Sequence, residues 1–285
     1  MRDRASYERL RMKNISLGQY YSVDSPIHRL DPRIKIVCAI LYIVVVFLCS
    51  NVASIALLLL SALAIVLMSN IPVRIVLRSV RTIVFIIAFT AIINLFWTEG
   101  AGAPLLDLGF AKIYKEGLIN AIYLIARIFV LIIGSSILLT YTTTPIALTD
   151  GIERLLSPLK KIGLPVHDFA MIMTIALRFI PTLMEEAEKI MSAQKARGAD
   201  FTNGSLIDRA KALIPILIPL FSSSIRHALD LATAMECRCY RGGEGRTRMK
   251  ILKCKASDVL ALCLVLGFGA TVVGINIFVS PLLPF

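Results

Sequence analysis

The stretch Ile36–Met68, IVCAILYIVVVFLCSNVASIALLLLSALAIVLM, decides the fold. As one helix it is about 50 Å long at 1.5 Å per residue, too long for a hydrocarbon core of about 30 Å. The polar pair Ser50-Asn51 near its middle therefore marks the turn of a tight helical hairpin. That gives spans at about 34–49 and 52–69, and three more apolar runs follow at about 80–97, 117–141 and 259–283. None of the five contains Asp or Glu. With 57% hydrophobic residues and a mean hydropathy of +0.77, the chain is expected to be an all-α polytopic membrane protein with five transmembrane helices and a helical cytoplasmic domain.

Cations set the orientation. Arg2, Arg4, Arg9, Arg11, Lys13, Arg29, Arg33 and Lys35 precede or open the first span, and Arg74, Arg78 and Arg81 lie in the second connection. The 50–51 turn has none, and the 98–116 loop offers only Lys112 and Lys115 against three acids. The positive-inside rule puts the N-terminus in the cytoplasm of a multi-pass protein of the cell membrane. Arg33 and Lys35 are expected to snorkel to the headgroups. The net charge of +12 then reflects topology and contact with membrane lipid, not nucleic-acid binding.

The segment 142–256 carries more than half of the 31 Lys and Arg residues. Its two apolar runs, Phe169–Ile180 (with Arg178) and Ala212–Phe221 (with Pro215 and Pro219), are too short for ordinary spans. Crossing there would also export Lys189, Lys195, Arg197, Arg209 and Lys211. The expected division is therefore 1–141 (N-terminal segment and spans one to four), 142–256 (a cytoplasmic domain of three helices) and 257–285 (the final span).

The first of those helices spans about Pro145–Leu156. The second begins at Asp168 as N-cap, kinks at Pro181, and ends at Gly198 in a left-handed C′ position. After the kink, Leu183, Met184, Ala187, Ile190, Met191 and Gln194 fall on one face, with Glu185, Glu186, Glu188 and Lys189 mostly on the other. The third runs from about Ser205 to Tyr240, stopped by Gly242-Gly243. Two of these helix ends carry arginine: Ala196-Arg197-Gly198 in SAQKARGAD, and Cys237-Arg238-Cys239 in AMECRCYRGGEGRTRM, followed by Arg241. A guanidinium there serves the carbonyls and dipole of its own helix end. It also pairs bidentately with carboxylates or carbonyls of a partner, a geometry lysine cannot copy.

DSPIHRLDPRIKI, LRFIPTLMEEAEKIMSAQKARGADF and AMECRCYRGGEGRTRM together resemble the transmembrane T component of energy-coupling factor (ECF) transporters, ATP-binding-cassette importers of vitamins and metal ions. The resemblance covers nearly the whole chain. It implies a non-catalytic coupling subunit whose two Ala-Arg-Gly motifs dock on two cytoplasmic ATPases, with a small membrane S component capturing substrate. Arg197 carries over with an intact motif. Only Arg238 matches in the second, where Cys237 and Cys239 replace alanine and glycine and put the helix-end geometry in doubt; Gly242-Gly243 is then the terminator. Arg127, near the middle of the fourth span, should face protein with Asn94 as neighbour, as a polar clamp, as a contact for the S component, or by snorkelling.

No cofactor is expected: ATP is bound by the partner subunits, and Gly242-Gly243-Glu244-Gly245-Arg246-Thr247 lacks the phosphate-loop lysine and spacing. His28, His167 and His227 have no metal-ligand spacing. The six cysteines are expected to be free in a reducing compartment. Spans without carboxylates argue against a proton-coupled secondary transporter, and no catalytic constellation supports a membrane enzyme.

Overall fold

The computed structural model describes residues 20–97, 106–107, 112–199, 201, 205–242 and 254–278. Its helices are α1 (Pro32–Leu48), α2 (Val52–Ser69), α3 (Val73–Trp97), α4 (Lys115–Ser135, continued as a π-helix over Ser136–Tyr141), α5 (Pro145–Leu156, followed by a 3-10 turn over Ser157–Ile162), α6 (Val166–Ala196), α7 (Leu206–Cys237) and α8 (Ala256–Phe278). A two-residue antiparallel ladder, Leu106–Asp107 on Lys112–Ile113, joins α3 to α4. The protein is an all-α polytopic membrane protein.

The hairpin turns at Ser50-Asn51 as the sequence predicts, and its arms of 17 and 18 residues are each roughly 26 Å long. Among the described residues, five helices are long and apolar enough to cross a membrane: Val52–Ser69, Lys115–Tyr141, Val166–Ala196, Ala210–Cys237 and Ala256–Phe278. The number matches the expectation but the membership differs. The first expected span, α1, stops at 17 residues, and the apolar part of α3 is Ile83–Leu95. By length and composition α6 and α7 also qualify, because both helices continue through Pro181, Pro215 and Pro219 and so outgrow the short runs that hydropathy picks out.

The chain divides into two compact units, Met1–Leu155 with Ile251–Phe285, and Leu156–Lys250. Helix α5 belongs to the first, against the backbone of Pro32 at Gly151; α6 and α7 make the second. In the first unit α4 packs on α1, α2 and α3, around Ala39, Tyr42, Val46, Leu58, Val130, Ile133 and Ile137, with Val272 of α8 closing the cluster. Gly134 admits the Tyr42 ring: a Cβ built there would clash with Tyr42 Cε1. Gly134→Ala is expected to lower stability by about 1–3 kcal/mol through overpacking, read as a lower melting temperature in detergent. An unchanged melting temperature contradicts that packing.

Asp31 caps α1, accepting from Arg33 N at 3.0 Å, with Pro32 in the first turn. Burial works to raise the Asp31 carboxyl, but hydrogen bonds from Arg33 outweigh it and hold it below the usual carboxylate range. Helix α6 departs from expectation at its start: Pro165 is the N-cap, and Asp168 sits in the first turn instead, where its charge favours the helix dipole. At α7, Ser205 and Asp208 form a reciprocal capping box.

Candidate functional site: two arginine-capped helix ends

The ends of α6 and α7 are built alike. Arg197 is the C-cap of α6 at φ −89°, ψ 8°, and Gly198 follows in the left-handed region at φ 90°. Gly198 N donates to Lys195 O and Ala199 N to Gln194 O, both at 3.0 Å. That pair of bonds is a Schellman motif. Arg238 is the C-cap of α7 at φ −91°, ψ 13°, with Cys239 left-handed at φ 55°. Cys239 N donates to Glu236 O at 2.8 Å and Tyr240 N to Met235 O at 3.0 Å. The second end is the same motif made without glycine.

The expected terminator is thereby corrected. Helix α7 stops at Cys237, and the left-handed residue is Cys239, not Gly242-Gly243. A side chain in that region costs about 1–2 kcal/mol, offset here by two satisfied carbonyls. Gly242 is also left-handed, at φ 84°, but comes after the cap; Gly243 to Thr247 lie outside the described residues. Ala196, Arg197, Gly198, Cys237, Arg238, Cys239 and Arg241 are all exposed. Tyr240 Oη donates to Met171 Sδ at 2.9 Å, tying the α7 end back to α6. The exposed guanidiniums at two satisfied helix ends can donate to an external carboxylate or carbonyl.

Arg127 has different work. Its Nη2 donates to Cys49 O and to Tyr123 Oη at 2.8 Å, its guanidinium lies 4.6 Å from the Tyr123 ring centroid, and Tyr123 Oη also donates to Cys49 O. On α3, Asn94 Nδ2 donates to Thr90 O of its own helix at 3.2 Å. From α8, Asn276 Nδ2 donates to Leu48 O, and its Oδ1 accepts from Ser54 Oγ at 2.9 Å and Asn51 Nδ2 at 3.4 Å. The reason is local. Helix α1 ends at Leu48 and leaves carbonyls without an intrahelical partner.

The opposite end of α1 holds a second clasp that the sequence did not suggest. Lys35, 2% exposed, donates to His28 O at 3.2 Å, Thr142 O at 2.7 Å and Thr143 Oγ1 at 3.3 Å. It does not snorkel; it caps the end of α4. Arg33 pairs with Asp31 at 2.9 Å. Asp258, 1% exposed, accepts from Asp31 N at 2.9 Å and Lys255 N at 2.7 Å, joining the start of α8 to the start of α1. His28 bonds to Ser25 Oγ and Tyr21 O. No group of His, Cys, Asp and Glu among the described residues could hold a metal ion, and all six cysteines are free.

The family described as cobalt transport protein, CbiQ, matches residues 24–249. The chain belongs to this family. Among its relatives, the energy-coupling factor transporter transmembrane protein EcfT of Clostridium kluyveri is 51% identical over 253 residues, covering 88% of this chain and 93% of the relative. Its counterpart in Bacillus subtilis is 45% identical over 247 residues, 87% and 92% of the two chains. The stretch that matches the CbiQ family contains both arginine-capped ends, Lys35 and Arg127, whereas Asp258 and Asn276 lie beyond it.

Proposed function

We propose that this chain is the coupling subunit of an ECF importer: it passes ATP-driven motion from two cytoplasmic ATPases to a membrane S component for uptake of a vitamin or other micronutrient. The observation that carries this reading is the pair of matched helix ends, each presenting an exposed arginine beyond a closed hydrogen-bond motif. Closing the helix end internally leaves the guanidinium available to a partner groove, where bidentate pairing anchors it. Helices α5, α6 and α7 make up the cytoplasmic coupling domain over 142–256 in this reading, the N-terminus is cytoplasmic, and the chain itself hydrolyses nothing. Arg127 belongs to the scaffold, holding the hairpin turn, and Asn94 stands with it in α3.

The test is reconstitution. The chain is co-expressed with its two candidate ATPases and S component, then placed in liposomes. Uptake that needs ATP and all four proteins is expected; uptake by the chain alone, without ATPases, overturns the reading.

A further inference from the structure

Helices α6 and α7 pack on each other, and a cluster of polar side chains lies within that contact. There, Glu186 Oε1 accepts from His227 Nε2 at 2.8 Å and from Ser223 Oγ at 3.1 Å. The two donors are one turn apart on α7, so they share a face. The His227 ring also stands 6.0 Å from the ring of Phe179, which lies two turns before Glu186 on the same face of α6. Glu186 therefore faces α7, not solvent as the polar pattern of Glu185, Glu186 and Glu188 suggests. Its second oxygen, Oε2, is buried without a hydrogen-bond partner. An apolar pair would avoid that cost, and polar contacts retained at a cost are best attested as devices that fix register.

The position along the helices gives the contact its meaning. Glu186 lies eleven residues before Arg197, and His227 lies eleven residues before Arg238, about 16 Å in each case. On the other side, Val166 is twenty residues from Glu186 and Leu206 is twenty-one from His227. The contact thus divides both helices into arms of matching length, and the two arginines end equal arms.

We propose that Glu186 and His227, with Ser223, form a pin that fixes the register of α6 against α7 and so positions Arg197 and Arg238 at equal distance from one fulcrum. Apolar faces rich in Met, Leu and Ile re-pack readily, whereas a directional hydrogen bond does not survive a one-turn slip of about 5.4 Å. The pin touches neither ATPase nor substrate; it acts through the arginines. Its part in coupling rests on the function proposed above, while its part in register does not.

The experiment places nitroxides, through genetically encoded keto side chains, at exposed Ser192 and Thr233, each five residues before its arginine, in the full chain. Glu186→Leu and His227→Leu are expected to broaden the Ser192–Thr233 distance distribution, with Glu186→Gln and His227→Gln restoring a narrow one. In the reconstituted transporter the leucine variants still recover both ATPases and still hydrolyse ATP, but uptake per ATP falls about tenfold, the scale of one charge-assisted hydrogen bond. A distribution as narrow in the leucine variants as in the parent overturns the pin. Broadening with unchanged uptake per ATP overturns its part in coupling. Should the parent recover no ATPase, the coupling function fails, and the distances in the purified chain still decide the pin.

Discussion

Replacing both Arg197 and Arg238 with alanine is expected to abolish recovery of the ATPases with this chain. Each guanidinium is exposed at its helix end, and each helix end is already closed by its own backbone bonds. Loss of the side chains therefore costs the free chain only the dipole contribution, about 0.3–1 kcal/mol each. In the complex the loss is larger: removing one partner of a buried, hydrogen-bonded charge pair costs about 2–5 kcal/mol. Two such losses at separate sites add, so the double variant should bind at least about a thousandfold more weakly, at 1.4 kcal/mol per tenfold. Lysine at both positions keeps charge without the bidentate fork and should recover binding only in part. Co-purification and vesicle uptake are the measurements. Wild-type recovery and uptake by the double alanine variant contradict the assignment of both tips.

Lys35→Met should be the most damaging single change in the first unit. Methionine fills similar space, but the three acceptors His28 O, Thr142 O and Thr143 Oγ1 lose their donor. Thr142 and Thr143 are themselves buried, so water cannot replace the ammonium, and a hydrogen bond to a charged group contributes about 1.5–3 kcal/mol. This one side chain ties the π-helix end of α4 to the segment that enters α1. A loss of about 3 kcal/mol corresponds to a melting temperature lower by roughly 10 °C, measured in detergent on the purified chain. A shift of a degree or less contradicts the clasp.

Much of this architecture was legible. Ser50-Asn51 gave the hairpin because no single helix of that length fits a bilayer, and Gly198 gave the α6 end because glycine is the usual left-handed residue. Cys239 has no such signature, and its φ of 55° follows from the hydrogen bonds it completes instead of from its side chain. Lys35 and Arg127 were placed by composition, which prices a charge in lipid but cannot see which carbonyls a neighbouring helix leaves open. Lys35 serves the end of α4 and Arg127 the end of α1, partners 107 and 78 residues away in the chain. Glu186 was misread for a related reason: in a run of acids the helical period alone does not say which one faces a neighbour. Hydropathy also undercounted α6 and α7, since proline divides an apolar run in sequence without ending the helix.

Sidedness of the arginine tips tests the central claim most directly, through the thiols that flank Arg238. Cys38 and Cys49 are buried, so serine at Cys254 and Cys263 leaves Cys237 and Cys239 as the exposed thiols. With that variant, a membrane-impermeant maleimide should leave the protein unlabelled in intact cells and label it in inverted vesicles, and bound ATPases should block that labelling. Labelling of Cys237 or Cys239 from outside intact cells contradicts the account.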